Sequence, residues 1–514
     1  MSCRMIWFEG WLLTYIVAFV SFTLFLAGSL LRERLPTVSI ALRGASSVLL
    51  LIYSVFIMSN ATDFVRGSFA LLASLIALFL VPYTSSYERR KYPGMNLSIV
   101  IDMFVLSVYM VFVSENLFSF IMFWLFAEIA GFFTIVFEVE RRTLIAGLRY
   151  LLISMVPADV ALLSILGIAA IKHGFTQALL VPLSEVSTVL SDLNPVLYLI
   201  IAVGFMAKAA VAPLHFWLPD AHSLAPAPGS AILSGVMVKM GIYGLFLTIP
   251  AVTSPYVYYT LIALASLTVI YGGLQALIQS DIKRVLAYST IENTSLITIA
   301  LISYKLFNMN TLLTAAVIYS LAHGIFKASL FMNSGTIEII THTRDISKLG
   351  YLARIAGKPT LTAILSILSL IGAPPTLGFL GKILLLAGLV SLYQASMTIA
   401  ITLLVVAALG AALAVAYGLR YITVYWGATP TKGFEGLKLN PGTENPELGL
   451  SLLNVVASLP IYAVLTVFGF LTLDLLYIVP IGLATVMMLA LIFYTYSYVR
   501  RSAREESWLG GVLP

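Results

Sequence analysis

Apolar residues run in blocks of roughly twenty, and polar positions fall mostly between the blocks. WLLTYIVAFVSFTLFLAGSLL, at 11–31, is representative. A membrane-crossing helix needs about 20 such residues, and only helices or closed barrels satisfy their backbone in lipid. A barrel strand would alternate in polarity; these runs do not, so they predict helices. The pattern gives about fifteen spans: 6–31, 43–59, 67–84, 98–114, 117–137, 144–171, 194–213, 229–249, 255–278, 284–303, 310–335, 360–391, 396–420, 449–473 and 475–498. The expected fold class is an all-α polytopic membrane protein of about 14–15 transmembrane helices.

Two spans are interrupted. IAVGFMAKAAVAPLHFWLP carries Pro213 soon after Lys208, and LSLIGAPPTLGFLGKILLL carries Pro374 and Pro375 before Lys382. Proline removes a backbone donor and clashes with the preceding turn, so both helices should break. The breaks lie five spans apart, each beside a lysine. Interrupted helices at matching positions of two halves point to inverted repeats around a central ion site. The expected organisation is therefore helices 1–3 in 1–97, a first five-helix repeat in 98–249, a second, inverted repeat in 255–420, and a loop with the last helices in 421–514.

Composition agrees with a bilayer as solvent. The 514 residues are 60% hydrophobic and 10% charged, and the mean hydropathy is +1.00. The one cysteine, Cys3, excludes a disulfide framework, a CxxC site or an all-cysteine iron–sulfur site within the chain. No cleavable signal peptide is expected, the first run reading as the first span. The net charge of +6 is scattered through short loops, which argues against nucleic acid as a partner. Arg32, Arg34, Arg43, Arg89, Arg90, Lys91, Arg141, Arg142, Lys283, Arg284, Arg344, Lys348, Arg354, Lys358, Arg420, Lys432 and Lys438 fall in odd-numbered loops. The positive-inside rule then puts those loops and the C-terminus in the cytoplasm and the N-terminus outside.

Against this background, ionisable groups inside the spans carry the chemistry. A charge near the bilayer centre costs at least about 2.5–3.5 kcal/mol, so it marks a protein interior or a water path. Lys208, Lys239 in GVMVKMGIYG, Lys382, and the pair His323 and Lys327 in LAHGIFKASLF are such groups. His323 and Lys327 are four apart and share one helix face. A buried lysine is pushed toward neutrality by desolvation and back by a nearby carboxylate, which is what a proton relay requires. Glu128 in FWLFAEIAGFF is the best-placed carboxylate; Asp102 and Asp159 read as packing residues or as lying in wet clefts. His215, Asp220 and His222 invite a metal reading, but HxxxxDxH fits no common zinc signature and a proline interrupts it. They read instead as a structured loop capping the broken helix, and no metal is expected.

GFMAKAAVAPLHFWLPDAHSLAPAPGSAILSGVMVKMGIYGL resembles the signature region of the antiporter-like membrane subunits of respiratory complex I, of membrane-bound group 4 hydrogenases and of Mrp-type cation/proton antiporters. QSDIKRVLAYSTIEN, LAHGIFKASLFMNSGTIE, THTRDISKLGYLAR and PTLGFLGK follow in the family order, from about 85 to 450. AYSTIEN with LAHGIFK leans toward the hydrogenase and Mrp branches. The resemblance implies a proton- or cation-translocating membrane subunit of a redox-driven complex. Such a complex is of the NADH/ferredoxin:quinone oxidoreductase or hydrogenase type, with no cofactor in this chain. Its partner subunits carry iron–sulfur clusters, with a nickel–iron site or flavin. The alternatives are a subunit of an Mrp-type Na+/H+ antiporter and a structural subunit with an inactive channel. By resemblance Lys208 is the central lysine of the seventh helix, Lys239 the bridging residue, His323 and Lys327 the link between halves, and Lys382 the terminal residue. One position departs from the family: Leu125 stands where its glutamate follows FW, and Glu128 comes three residues later. That shift is about 4.5 Å along a helix and about 60° round it.

Overall fold

The computed structural model describes residues 2–60, 63–191, 193–426 and 439–467, with 483–488, 490 and 494. Of the fifteenth expected span only 483–488, 490 and 494 are described, and the end of the fourteenth (468–473), Lys432, Lys438 and the C-terminal tail lie outside the described residues. In chain order the helices are α1 Ser2–Leu31, α2 Pro36–Met58, α3 Phe64–Lys91, α4 Leu97–Val113, α5 Leu117–Ile135, α6 Arg141–Tyr150 and α7 Val156–His173. The short α8 Phe175–Leu179 and α9 Val186–Val189 precede α10 Pro195–Lys208, α11 Leu218–Leu224, α12 Ala227–Ile232 and α13 Val238–Thr248. Then come α14 Pro255–Ile278, α15 Ile282–Phe307, α16 Asn310–Thr341, α17 Gly357–Ile371, α18 Leu377–Ser391, α19 Met397–Trp426, α20 Pro441–Val456 and α21 Ser458–Val467. Among the described residues, 12 stretches are long and apolar enough to cross a membrane. Leu97–Val113, Pro195–Lys208 and Gly357–Ile371 are shorter apolar helices. The chain is an all-helical, multi-pass protein.

Both breaks are present. α10 ends at Lys208, and Ala210 takes a positive φ of 57° before the chain resumes as α11. α17 ends at Ile371 with Gly372 left-handed at φ 82°, and α18 starts two residues after Pro375. The C-terminal carbonyls of a helix lack partners within it, so each break exposes acceptors inside the bundle. Two π turns interrupt otherwise continuous helices, at Leu151–Met155 between α6 and α7 and at Leu233–Met237 between α12 and α13. Such turns commonly mark functional positions, and each adjoins a residue of the site below.

The interior is polar by design of position rather than of number. α15 and α16 are almost wholly buried, whereas α1, α7 and α19 present wide apolar faces outward. Facing outward, Phe19, Leu163, Ile171 and Leu419 are at least 61% exposed, as expected where lipid is the solvent.

One placement differs from expectation. The sequence puts Arg43 at the very start of the second span, with the loop charges, but α2 begins at Pro36, so Arg43 lies two turns inside it and is wholly buried. Its Nε and Nη2 reach the two carboxylate oxygens of Asp102 on α4, at 2.5 and 2.9 Å. Ser29 on α1 donates to the same carboxylate at 3.0 Å, and Arg43 Nη1 donates to Ser85 on α3 at 2.7 Å. Four helices thus meet on one buried ion pair.

Surface charge gathers at one end of the bundle. Lys91 pairs with Glu338 at 2.8 Å and Glu138 at 3.7 Å, Lys283 with Glu338 at 3.5 Å, and Arg344 with Asp281 at 3.2 Å. Asp220 on α11 bridges Arg149 of α6 and Arg284 of α15. Lys358 donates to Asn445 at 2.7 Å, which brings the start of α20 to this same end.

Candidate functional site

The site begins on α5. Asn116 caps this helix by accepting from Ser119 N, and Glu128 lies on its buried side. Glu128 Oε1 stands 2.6 Å from Lys208 Nζ, with both side chains at 0% exposure. Trp124, one turn earlier, donates its indole N–H to the same oxygen at 2.9 Å. The Lys208 ammonium also sits over the ring of Tyr150, 4.9 Å from its centroid, a favourable cation–π arrangement. Tyr150 donates its hydroxyl to Glu128 O at 3.2 Å and directly precedes the first π turn. Asp159 on α7 is within Coulombic reach of both Glu128 and Lys208. Leu125 packs as a partly buried core residue. The carboxylate beside Lys208 is therefore Glu128.

The middle of the site joins α13 to α16. Lys239, two residues beyond the second π turn, donates to Ser234 O at 2.9 Å and meets His323 Nδ1 at 2.5 Å. Lys327 shares the α16 face with His323 but reaches a different helix: it donates to Leu286 O at 3.0 Å and to the Ser289 hydroxyl on α15. His215, Asp220 and His222 do not converge. His215 packs edge-on against Tyr271 at 4.8 Å, Asp220 takes the two arginines, and His222 is fully buried beside Phe331 at 5.3 Å. His222 is within Coulombic reach of Lys239, His323 and Lys327. No group of three or more His, Cys, Asp or Glu among the described residues could hold a metal ion.

The far end lies at the second break. Lys382, one turn into α18, reaches back to donate to Leu370 O at 2.7 Å, one of the carbonyls that the end of α17 leaves free. Glu292 on α15 completes this end, and its role was not singled out from sequence. It is fully buried, accepts from the Tyr417 hydroxyl of α19, and lies within Coulombic reach of both Lys327 and Lys382. Tyr319 and Asn293 line the same space, joined at 2.6 Å. The signal was there in AYSTIEN: a carboxylate in mid-span obeys the same energetic rule that exposed the lysines.

The buried groups thus form a sequence from Glu128 and Lys208 through Lys239, His323 and Lys327 to Glu292 and Lys382. Such an interior defines a multi-pass membrane protein with buried ionisable groups in its core. Residues 114–409 match the family of the NADH:quinone oxidoreductase/Mrp antiporter transmembrane region. That is more than half of the chain, and the chain belongs to this family. It is 34% identical over 281 residues to NADH-quinone oxidoreductase subunit M of Rickettsia typhi, covering 54% of each chain. It is 29% identical over 341 residues to hydrogenase-4 component B of Escherichia coli, covering 63% of this chain and 49% of that one. The chain therefore spans about half the length of these curated relatives. Its fold matches a chain of the Mrp complex from Dietzia with a TM-score of 0.76 at 22% identity, over 97% of this chain and 58% of that one.

Proposed function

We propose that this chain is a proton-translocating, antiporter-like membrane subunit of a redox-driven complex, of the quinone oxidoreductase or membrane-bound hydrogenase type. The observation that carries the reading is the set of buried ionisable groups in the bundle interior, with Glu128 on Lys208, Lys239 on His323, and Glu292 within reach of Lys327 and Lys382. A charge pair at about 4 Å is worth about 4 kcal/mol at an effective dielectric near 20. Moving one charge through 100 mV takes about 2.3 kcal/mol. Opening or closing one pair is thus the right size for one ion step.

In the mechanism we favour, a partner subunit perturbs Glu128 and loosens its hold on Lys208. The lysine releases its proton toward Lys239 and His323, Lys327 passes the charge on, and Lys382 with Glu292 delivers it to the opposite side. The chain supplies the path, and partner subunits carrying iron–sulfur clusters, with a nickel–iron site or flavin, supply the driving reaction. The basic end formed by Lys91, Arg149, Lys283, Arg284 and Arg344 is the cytoplasmic one on this reading, with the N-terminus outside and the C-terminus inside. The two broken helices mark two inverted five-helix repeats, at 98–249 and 255–420.

A second reading, a subunit of an Mrp-type cation/proton antiporter, draws support from the fold match to the Dietzia complex. Co-purification separates the two: iron–sulfur or nickel–iron partners favour the first, small membrane subunits alone the second. An inactive, purely structural channel was suggested by Leu125, and the Glu128–Lys208 contact argues against it. The direct test is ion translocation by vesicles bearing the assembled complex with Lys208→Ala. Pumping at the wild-type rate would sink the scheme.

A further inference from the structure

Glu447 is a further buried carboxylate, and it lies outside the family-matched segment 114–409. It sits six residues into α20, about 9 Å from the basic end of the bundle at 1.5 Å per residue, and is fully buried. Its two oxygens accept from neutral donors: Thr336 Oγ1 at 2.8 Å and Asn333 Nδ2 at 3.3 Å, both on α16. Among the described residues no cation lies within ion-pairing distance of it. This sets it apart from Glu128, Asp102 and Glu338, each of which has one. An ionised carboxylate held only by neutral donors in an apolar interior is strongly disfavoured, so this group is neutral at rest.

Its surroundings lead inward. Asn333 Oδ1 accepts from Tyr421 at 2.9 Å and from Tyr425 at 2.8 Å. Four residues before Tyr421, on the same face of α19, Tyr417 donates to Glu292. The three tyrosines at four-residue spacing thus form one polar stripe between Glu447 and the carboxylate already placed in the relay. One helical turn, about 6 Å along the axis, separates Tyr417 from Tyr421, and the route proposed below has a bridging water between their hydroxyls. Toward the basic end stands Glu444, on the same face of α20 and within Coulombic reach of Glu447, Lys358 and Arg90. The other titratable groups facing Glu447 include Tyr83 on α3 and Tyr421 and Tyr425 on α19. Counted along their helices from the basic end, Glu444, Glu447, Asn333, Tyr417 and Glu292 lie progressively deeper.

We propose that Glu447 is a proton-binding acid that loads Glu292 and Lys382 from the basic face along the α19 tyrosine stripe. It would form a second uptake branch independent of Glu128 and Lys208. The step is a plain proton transfer: a water between Glu447 and the nearby Tyr421 hydroxyl takes the acid's proton, Tyr421 and Tyr417 pass one on through a second water to Glu292, Asn333 only holds the tyrosines in place, and Glu447 is reprotonated from the basic face past Glu444. The inference rests on the ion-translocating reading above.

The test uses vesicles with the assembled complex. E447Q keeps an oxygen to accept from Thr336 but cannot carry a proton. Ion translocation should fall about tenfold or more while assembly and the partners' reaction are kept, since a positioned proton-transfer group is lost. E447D should recover part of the rate. A wild-type rate in assembled E447Q overturns the proposal; a structural role alone predicts that rate. Dicyclohexylcarbodiimide, which modifies protonated carboxyls in apolar surroundings, provides a readout independent of pumping. Mass spectrometry should find wild-type Glu447 modified. If E447Q fails to assemble, an unmodified Glu447 in the wild type overturns the proposal and a modified one supports it. Loss of pumping in Lys208→Ala, with normal pumping in E447Q, would sink this branch and leave the main reading standing.

Discussion

Lys239 and His323 stand Nζ to Nδ1 at 2.5 Å, both wholly buried. Two bases can make that contact only while one of them offers a lone pair. The contact therefore excludes the state in which both are cationic and leaves the pair at most one extra proton, on the lysine or on the imidazole. A group poised in this way passes a proton along rather than storing it. His323→Ala should lower ion translocation about a hundredfold, the lower end of what a positioned proton-transfer group contributes. His323→Lys, which cannot present the same lone pair at Nδ1, should not rescue it. Fluorescence quenching of a pH dye in vesicles measures both.

Glu128 takes the place beside Lys208 that the family pattern would give to position 125. Positions three apart on a helix share a face, so the carboxylate can be moved back. Glu128→Leu should abolish translocation with the complex still assembled. The double variant Leu125→Glu/Glu128→Leu should regain a measurable part of it. Equal rates for the single and double variants would show that the site needs Glu128 itself, with its Trp124 contact.

The Arg43–Asp102 pair is wholly enclosed and joins four helices. Removing one member of a buried pair typically costs 3–5 kcal/mol, because the other is left uncompensated. Asp102→Ala should therefore reduce the amount of assembled protein and lower its detergent-solubilised melting temperature. Whatever assembles should translocate ions at the wild-type rate per complex. A variant that assembles normally but does not pump would move this pair into the relay.

Glu292 gives a parallel case in the second half. Glu292→Gln should reduce translocation as severely as Lys382→Ala, since the carboxylate acts on both Lys327 and Lys382. Tyr417→Phe removes one hydroxyl donor and should have the smaller effect. The comparison is of initial pumping rates at matched protein levels.

Gly378 tests the break itself. A Cβ there would lie 1.8 Å from Ser369 O and 2.6 Å from its carbonyl carbon, which are backbone atoms that cannot yield cheaply. Gly378→Ala should push α18 off the end of α17, draw Lys382 away from Leu370 O and lower both stability and pumping. Thermal denaturation and transport measured together would show it.

The helices, both breaks and the intramembrane lysines could be read from the sequence because lipid imposes a single strong rule on each. Span length and proline placement are local, and a charge in an apolar run stands out by itself. Pairing is not local. Nothing in WLFAEIAG says that Glu128 meets Lys208 rather than Asp159, since that depends on how α5 packs against α10. Arg43 reads as a boundary charge because the apolar run SSVLLLIYSVFIM begins at Ser46, ten residues beyond Pro36, where α2 starts with a residue suited to a first helical turn. Glu292 escaped notice beside the motif that held it, because a polar stretch such as AYSTIEN hides one charge among its neighbours. Asp220 could not be foreseen as a bridge, for its two arginines come from α6 and α15.

Lys382 rests on the peptide carbonyl of Leu370 at the end of α17. A helix terminus carries about half a negative charge in fixed dipoles, and no proton can erase it. Lys208 rests on a carboxylate, which a proton can erase. The contact at Lys208 is therefore one that chemistry can switch off, whereas Lys382 feels the switchable Glu292 carboxylate on top of a constant bias built from backbone.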